Sequence, residues 1–160
     1  MQYRVLPGTG IEVSVVAFGC WSIVGGFNWG PQDEADSRAA LQAAFDAGVT
    51  LYDTAEAYGD GRSEELLAGA LGGHRDELVL ATKVSRSHLR PDALRTACEH
   101  SLRRLRTDRI DLYQCHWPPA QGEPIEEILG VLEALRNEGK IRAYGVSNFG
   151  PGDIDALPDA

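Results

Sequence analysis

Four short apolar segments of the sequence each end in side chains that can do chemistry. These groups are the carboxyl of Asp53, the amine of Lys83, the imidazole of His116, and the hydroxyl and amide of Ser147 and Asn148. Active sites of α/β proteins form at the carboxyl ends of parallel strands, so we expect these groups to meet. Each has a structural alternative, since Asp53 could cap a turn and His116 could be a hydrogen-bonded core histidine. Their recurrence at corresponding positions favours one shared site.

Lys83 is one of two lysines, against thirteen arginines, and it closes the apolar run 78–81. An ammonium among apolar groups must find a partner or lose its proton, because its desolvation is costly. Asp53, one strand away at about 5 Å in a parallel sheet, is the counterion that we expect. Tyr58 follows Asp53 by five residues, and we expect its loop to place it above the strand ends.

Tyr58 is the candidate proton donor. A tyrosine hydroxyl titrates near pH ~10, so it donates reluctantly at neutral pH, but a neighbouring Lys83 ammonium would stabilise the phenolate. Tyr58 could then protonate a developing alkoxide while His116 donates a hydrogen bond to the same oxygen. The alternative for Tyr58 is a packed loop aromatic. Ser147 and Asn148 suit a planar carboxamide, and they equally suit a turn after a strand.

The pattern of apolar residues predicts the elements that position these groups. A Pro/Gly turn at residues 7–10 separates two short extended segments, which predicts a β-hairpin. Apolar runs then alternate with amphipathic stretches, as in βα repeats. The predicted strands are 15–19, 50–53, 78–83, 110–116 and 143–147. Helices are predicted to begin after the caps Asp33 and Ser63, at Pro91 and Pro124, and near Pro151 or Gly152.

The length of 160 residues and the mass of 17.3 kDa suit one domain. Five βα repeats behind a hairpin are more than half of an eight-stranded barrel, which typically uses ~250 residues. An open flavodoxin-like sheet of five strands fits this length as well.

The net charge of -9 and the pI of about 4.8 argue against nucleic acid and anionic membrane surfaces as partners. No apolar run approaches the ~18 residues of a membrane-spanning helix. The first residues also lack the layout of a secretory signal, so we expect a cytoplasmic protein. Three widely spaced cysteines without a CxxC pair predict reduced thiols, and we expect neither a disulfide framework nor a metal site.

Longer segments of the chain resemble signatures of the aldo-keto reductases. They follow the family order at 48–59 (GVTLYDTAEAYG), 63–67 (SEELL), 81–83 (ATK), 109–116 (RIDLYQCH) and 139–149 (GKIRAYGVSNF). This family has a (β/α)8 TIM barrel with an N-terminal β-hairpin at its floor, and it reduces aldehydes and ketones with NADPH and without a metal. The resemblance implies an α/β fold for residues 1–160, a partial barrel truncated after the fifth strand. The chain would be the N-terminal portion of an aldo-keto reductase domain.

The resemblance also implies the catalytic assignments. Tyr58 resembles the general acid, and His116 resembles the residue that orients the substrate carbonyl. Lys83 and Asp53 resemble the pair that tunes the acid. All four positions carry the residue type that the family uses.

The remaining site residues follow from the same resemblance. Ser147 and Asn148 resemble the ligands of the nicotinamide carboxamide of NADPH. Trp21 and Trp117 resemble the apolar lining of the substrate pocket, although each could equally serve in packing or in stiffening a loop. The strands and loops that grip the rest of the dinucleotide in relatives would follow Ala160.

The function expected from this resemblance is hydride transfer between NADPH and a small aldehyde or ketone, weak or absent in the 160-residue chain alone. The alternatives are an unusually short autonomous reductase, a non-catalytic interaction module on the same fold, and a Schiff-base enzyme that uses Lys83. The intact acid and ion-pair residues argue against the interaction module. Two open sheet edges would allow self-association or docking of the missing C-terminal part.

Overall fold

The computed structural model describes residues 1–26, 29–119 and 125–158, in which seven strands and five helices follow one another along the chain. The strands are β1 (Tyr3–Val5), β2 (Glu12–Ser14), β3 (Ala17–Gly19), β4 (Leu51–Asp53), β5 (Val79–Val84), β6 (Ile110–Cys115) and β7 (Ile141–Val146). The helices are α1 (Glu34–Asp46), α2 (Arg62–Leu71), α3 (Pro91–Leu105), α4 (Ile125–Asn137) and α5 (Pro151–Asp155). Short 3-10 helices lie at Ser22–Val24, Gly72–Glu77 and Arg86–His88.

The strands form a hairpin and one parallel sheet. β1 and β2 pair antiparallel, and β3 to β7 form a five-stranded parallel sheet in which the spatial order is the sequence order. A flavodoxin-like sheet has the order 2-1-3-4-5, so that alternative is excluded. The sequential order is that of a barrel wall. Among the described strands, β3 and β7 each pair with a single neighbour.

The hydrophobic core lies mainly between the sheet and its helices. The helix residues that sequence periodicity predicts to be apolar are buried there, namely Leu94, Cys98, Leu102 and Leu105 of α3 and Ile128, Leu132 and Leu135 of α4. A smaller cluster joins Ile11 and Val13 of the hairpin to Val79 and Ala143 on the opposite face of the sheet. The hairpin therefore packs near the amino-terminal ends of the strands, away from their carboxyl ends.

Three of the predicted helix starts agree with the structure, and one of them is the start of α5 at Pro151. Asp33 caps α1, since its Oδ1 accepts hydrogen bonds from the N–H groups of Ala35 at 2.7 Å and Asp36 at 3.1 Å. Pro91 is the first residue of α3, where its fixed φ and missing N–H cost nothing. The predicted start of α4 at Pro124 lies outside the described residues.

The prediction of Ser63 as the cap of α2 is wrong. The helix begins at Arg62, after Gly61 in the left-handed region with φ +88°. Ser63 is buried in the first turn, where its hydroxyl donates to the Cys20 carbonyl at 2.7 Å and accepts from Thr54 Oγ1 at 2.9 Å. The hydroxyl joins α2 to the segments after β3 and β4, so it is not available to cap the helix.

A buried carboxylate joins α2 to the sheet beside the candidate site. Glu64 is fully buried and accepts hydrogen bonds from Thr82 Oγ1 at 2.6 Å and from Arg104 Nε at 2.6 Å. A buried charge requires such partners. Because Thr82 directly precedes Lys83, this contact fixes β5 relative to α2, the helix that follows the loop carrying Tyr58.

The helices are of ordinary globular length. The longest of the described ones, α3, has 15 residues. Over the part of the chain that the structure describes, no helix has the length and apolar character needed to cross a membrane.

Candidate active site

One cavity of about 710 Å³ opens at the carboxyl ends of the parallel strands. Strands β4 to β7 each bring a candidate side chain there, because equivalent ends of parallel strands lie at the same edge of the sheet. Asp53 ends β4, Lys83 is the penultimate residue of β5, and His116 directly follows β6. All eight residues proposed from the sequence line this cavity, together with Ala57 and Gln114: Trp21, Asp53, Tyr58, Lys83, His116, Trp117, Ser147 and Asn148.

The ammonium of Lys83 is surrounded by oxygen atoms. Lys83 is 5% exposed, and its Nζ donates to Asp53 Oδ1 and, at 2.9 Å, to the carbonyl of Thr54. The hydroxyl oxygen of Tyr58 lies 3.4 Å from Nζ. These three oxygens match the three N–H donors of an ammonium group. The lysine thus has the counterion that its apolar strand requires, and it contacts the phenol through its remaining donor.

Tyr58 lies in the loop between β4 and α2. Its ring stacks on that of Trp21, with centroids 5.9 Å apart, and meets the ring of His116 edge-to-face at 5.6 Å. Its backbone N–H donates to the Ala55 carbonyl at 3.1 Å, which closes a tight turn. The ring is therefore held between an indole and an imidazole while its hydroxyl contacts the ammonium of Lys83.

His116 is half-buried, and its backbone N–H donates to the Val84 carbonyl at 2.9 Å. Burial lowers the pKa of the imidazole below its usual 6.5, and the ammonium of Lys83 lowers it further. The carboxylates of Asp53 and Glu56 act in the opposite direction. At neutral pH the ring is therefore uncharged and keeps one N–H to donate and one nitrogen to accept.

Ser147 and Asn148 form the turn after β7. The backbone N–H of Ser147 donates to the Cys115 carbonyl at 2.8 Å, so the turn stays beside the end of β6. Asn148 adopts a left-handed φ of +59°, which asparagine tolerates better than most residues. Its Nδ2 donates to the His116 carbonyl at 2.8 Å and to Ser147 Oγ at 3.1 Å. The side-chain amide thus links two strand ends at the cavity.

Aromatic rings border the cavity. Trp21 and Trp117 are 45% and 48% exposed, and the Trp117 ring stacks on His116 with centroids 6.1 Å apart. Trp29, which the sequence analysis missed, contacts Trp21 edge-to-face at 5.6 Å. The only sequence signal for Trp29 was that the chain has three tryptophans. Trp29 follows no strand, so no periodicity could assign it to the site.

Gln114 is a second residue that the sequence analysis missed. It pairs in register with Lys83 across β5 and β6, and it lines the cavity. Its Nε2 lies 3.5 Å from the Val146 carbonyl, and among the described residues its buried Oε1 has no hydrogen-bond partner. The period-two alternation of β6 could have identified it, because Gln114 shares a strand face with His116.

The three thiols are not placed to act as nucleophiles. All of them are buried and free. Burial raises the pKa of Cys115 to about 11 and that of Cys98 to about 12, so both thiols stay protonated at neutral pH. Residues 1–26, 29–119 and 125–158 contain no group of three or more His, Cys, Asp or Glu side chains that could hold a metal ion.

Sequence comparison identifies the family of this fold and site. The profile of the Aldo/keto reductase family matches residues 15–159. The chain belongs to this family. The match supports the resemblance drawn from the sequence segments, and the parallel sheet with its hairpin confirms the expected partial barrel.

Two curated aldo/keto reductases illustrate the similarity. Aldo-keto reductase YhdN of Bacillus subtilis is 46% identical to this chain over 167 residues, which cover 98% of this chain and 50% of YhdN. Methylglyoxal reductase YeaE of Escherichia coli is 38% identical, with 98% of this chain and 54% of YeaE covered. The chain spans about half the length of the curated relatives that it matches.

Solved aldo/keto reductase structures are also similar. The thermostable aldo-keto reductase Tm1743, solved in complex with the inhibitor epalrestat, superimposes with a TM-score of 0.86 at 38% identity, covering 97% of this chain and 57% of Tm1743. An aldo/keto reductase from Klebsiella pneumoniae, solved with NADP and acetate, gives a TM-score of 0.84 at 40% identity, covering 94% and 51%. The similarity thus extends over nearly all of this chain and about half of each relative.

The electrostatics of this site predict the titration of His116. We expect its pKa to lie below 6.5, to fall further in Asp53→Asn, and to rise in Lys83→Met, because the carboxylate raises this pKa and the ammonium lowers it. NMR of the imidazole nitrogens between pH 4 and 8, assigned with a His116→Gln variant, measures all three values.

The lowered pKa of His116 also determines the direction in which its contribution to stability changes with pH. The unfolded state binds more protons than the folded state between the lowered pKa and 6.5. The contribution of His116 to stability is therefore complete above pH 6.5 and is lost as the pH falls through the folded-state pKa. A His116 pKa at or above 6.5 in the parent protein would contradict this description of the site. Shifts of this pKa in the same direction in Asp53→Asn and Lys83→Met would contradict it as well.

Proposed function

We propose that this chain carries the catalytic residues of an NADP-dependent carbonyl reductase, and that residues 1–160 are the N-terminal portion of its domain. The observation that carries the proposal is the contact of the buried Lys83 ammonium with Asp53, the Thr54 carbonyl and the Tyr58 hydroxyl in one cavity. The substrate that we propose is a small aldehyde or ketone. The similarity to a methylglyoxal reductase supports this class.

Tyr58 acts as the general acid in this proposal. Its hydroxyl donates a proton to the carbonyl oxygen as negative charge develops there, and a phenolate is left behind. The Lys83 ammonium, 3.4 Å from the hydroxyl oxygen, stabilises that phenolate by direct charge attraction. Asp53 holds the ammonium in place from the other side. The proton therefore moves at a fixed position instead of coming from bulk water.

His116 orients the substrate carbonyl. Its ring meets that of Tyr58 edge-to-face, so both side chains can reach one oxygen atom from different directions. An uncharged imidazole donates one hydrogen bond to the developing alkoxide without giving up its proton. Trp21 and Trp117 border the cavity with apolar rings, which limits water around the reacting carbonyl.

Ser147 and Asn148 fit the carboxamide of a nicotinamide cofactor. A carboxamide presents two N–H donors and one carbonyl acceptor. Among the described residues, Asn148 uses only its Nδ2 in side-chain hydrogen bonds, and Ser147 Oγ only accepts. The Asn148 carbonyl oxygen and the Ser147 hydroxyl hydrogen are therefore left for a ligand, in the acceptor and donor roles that a carboxamide needs.

The cofactor that we propose is NADPH, which supplies the hydride for the carbonyl carbon. NADP-bound and NADPH-bound structures of similar proteins support this choice. Because the chain spans about half of its relatives, we propose that the 160-residue chain binds the cofactor weakly. A non-catalytic interaction module would leave the ion pair, the phenol and the imidazole at the cavity without use.

The Tyr58→Phe variant tests the proton-donor role. In a preparation of this protein that reduces methylglyoxal with NADPH, we expect kcat/KM to fall by about 10²–10⁴-fold, because the general acid is lost while the ring packing stays. NADPH binding, followed by fluorescence titration, should change less than twofold. Tyr144→Phe is the matched control, since its hydroxyl lies 3.3 Å from Glu133 on the helix side. Retained activity in Tyr58→Phe would reject the assignment.

The Asn148→Gly variant tests the carboxamide site. Glycine adopts a φ of +59° without strain, so the turn keeps its shape while the amide is removed. Loss of one hydrogen bond of about 1.4 kcal/mol corresponds to about tenfold weaker NADPH binding. Thermal unfolding checks that the fold is intact. Unchanged NADPH affinity in the folded variant would exclude Asn148 from the cofactor site.

A further inference from the structure

Glu56 lies two residues before Tyr58 in the same loop, and its side chain is bound to the segment that follows β5. Its Oε1 accepts a hydrogen bond from the backbone N–H of Ser85 at 2.6 Å and lies 2.9 Å from Nδ1 of His88. The Glu56 side chain is 9% exposed. A carboxylate buried to this degree is retained only where partners compensate its desolvation.

The backbone of the same loop is also attached to β5. The N–H of Thr54 donates to the Ala81 carbonyl at 2.8 Å, and the N–H of Glu56 donates to the Lys83 carbonyl at 3.2 Å. Beyond Glu56 the chain leaves the sheet and turns, and the N–H of Tyr58 donates back to residue 55 at 3.1 Å. Glu56 is therefore the last residue that ties the loop to β5 before the turn that presents Tyr58.

The segment 56–58 separates two cavities. Ala57 lines the active-site cavity and also a smaller one of about 370 Å³. The smaller cavity is bordered by Glu56, Asp60, His88 and Arg104, among others. A displacement of Glu56 toward this space would carry the turn with it, and it would change the distance from the Tyr58 hydroxyl to Lys83.

We propose that Glu56 is a positioning residue for Tyr58, and that its hydrogen bond from the Ser85 N–H fixes the turn at which the phenol reaches Lys83. The inference rests on the proposed function, because it assigns Glu56 to the same reaction. Glu56 does not line the active-site cavity, so it does not act on the substrate directly. Apart from its charge, which raises the pKa of His116, it acts through Tyr58.

The Ser85 N–H can be removed without substituting Glu56 itself. Ser85 has φ -66°, which is the value that proline imposes, and the preceding residue is extended as proline requires. Ser85→Pro therefore deletes the donor, whereas the matched control Ser85→Ala keeps it. Glu56→Ala deletes the acceptor, and Glu56→Gln keeps an oxygen that can still accept from Ser85. Asp60→Asn is a second control, since Asp60 borders the same small cavity.

Two measurements on these variants test the inference. The ring protons of Tyr58 report its stacking on Trp21 by NMR, independently of activity. Methylglyoxal reduction with NADPH gives kcat and the KM for NADPH separately. We expect Glu56→Ala and Ser85→Pro to shift the Tyr58 ring signals and to lower kcat by about 10–100-fold, with the KM for NADPH unchanged, because a small misplacement of an acid is costly. Glu56→Gln should recover most of kcat, and both controls should match the parent protein.

Failure of the positioning role of Glu56 can be distinguished from failure of the proposed function. Unshifted Tyr58 signals and a parental kcat in folded Glu56→Ala and Ser85→Pro would overturn the positioning role, even where Tyr58→Phe is inactive. Equal losses in Ser85→Ala and Ser85→Pro would overturn it as well, because the N–H would then not matter. Ring signals that shift as expected would support the inference even if Tyr58→Phe retained activity and so rejected the proposed reaction.

Discussion

The structure of the site depends on one constraint, which is that a lysine ammonium buried at the end of a parallel strand must be surrounded by oxygen. Lys83 meets it with the Asp53 carboxylate, the Thr54 carbonyl and the Tyr58 hydroxyl. The Asp53 and Thr54 oxygens reach the ammonium only if β4 lies beside β5. The Tyr58 hydroxyl reaches it only if the loop after β4 returns over the strand ends. The sequential strand order provides the first condition, and the turn at residues 55–58 provides the second.

The same ammonium also acts on the neighbouring His116, where burial has the larger effect. Burial and the positive charge of Lys83 both lower the pKa of His116, and two nearby carboxylates limit the shift. The site therefore places the Lys83–Asp53 ion pair beside the Tyr58 hydroxyl and the His116 imidazole, an arrangement suited to stabilising a developing negative oxygen. An exposed lysine would exert little of this influence, because water screens charges at a surface.

The sequence predicts most of this site because its residues follow apolar runs, and strand ends are easily located. The apolar stripe of α3 and the Asp33 cap were also predicted correctly, because the stripe depends on local periodicity and the cap on local hydrogen bonds. Ser63 was misassigned because its hydroxyl bonds to residues distant in the sequence, 9 and 43 positions away. Trp29, Gln114 and Glu56 were missed because their contacts are tertiary, although strand alternation could have identified Gln114.

A double-mutant cycle between Asp53→Asn and Lys83→Met measures the central interaction most directly. The free energies of unfolding of the parent chain, the two single variants and the double variant are obtained from urea titrations at pH 7. If the carboxylate and the ammonium stabilise each other, the double variant will lose less than the sum of the single losses, by about 0.5–3 kcal/mol. Losses that add to within about 0.5 kcal/mol would contradict a direct interaction, and with it this account of how the site is built.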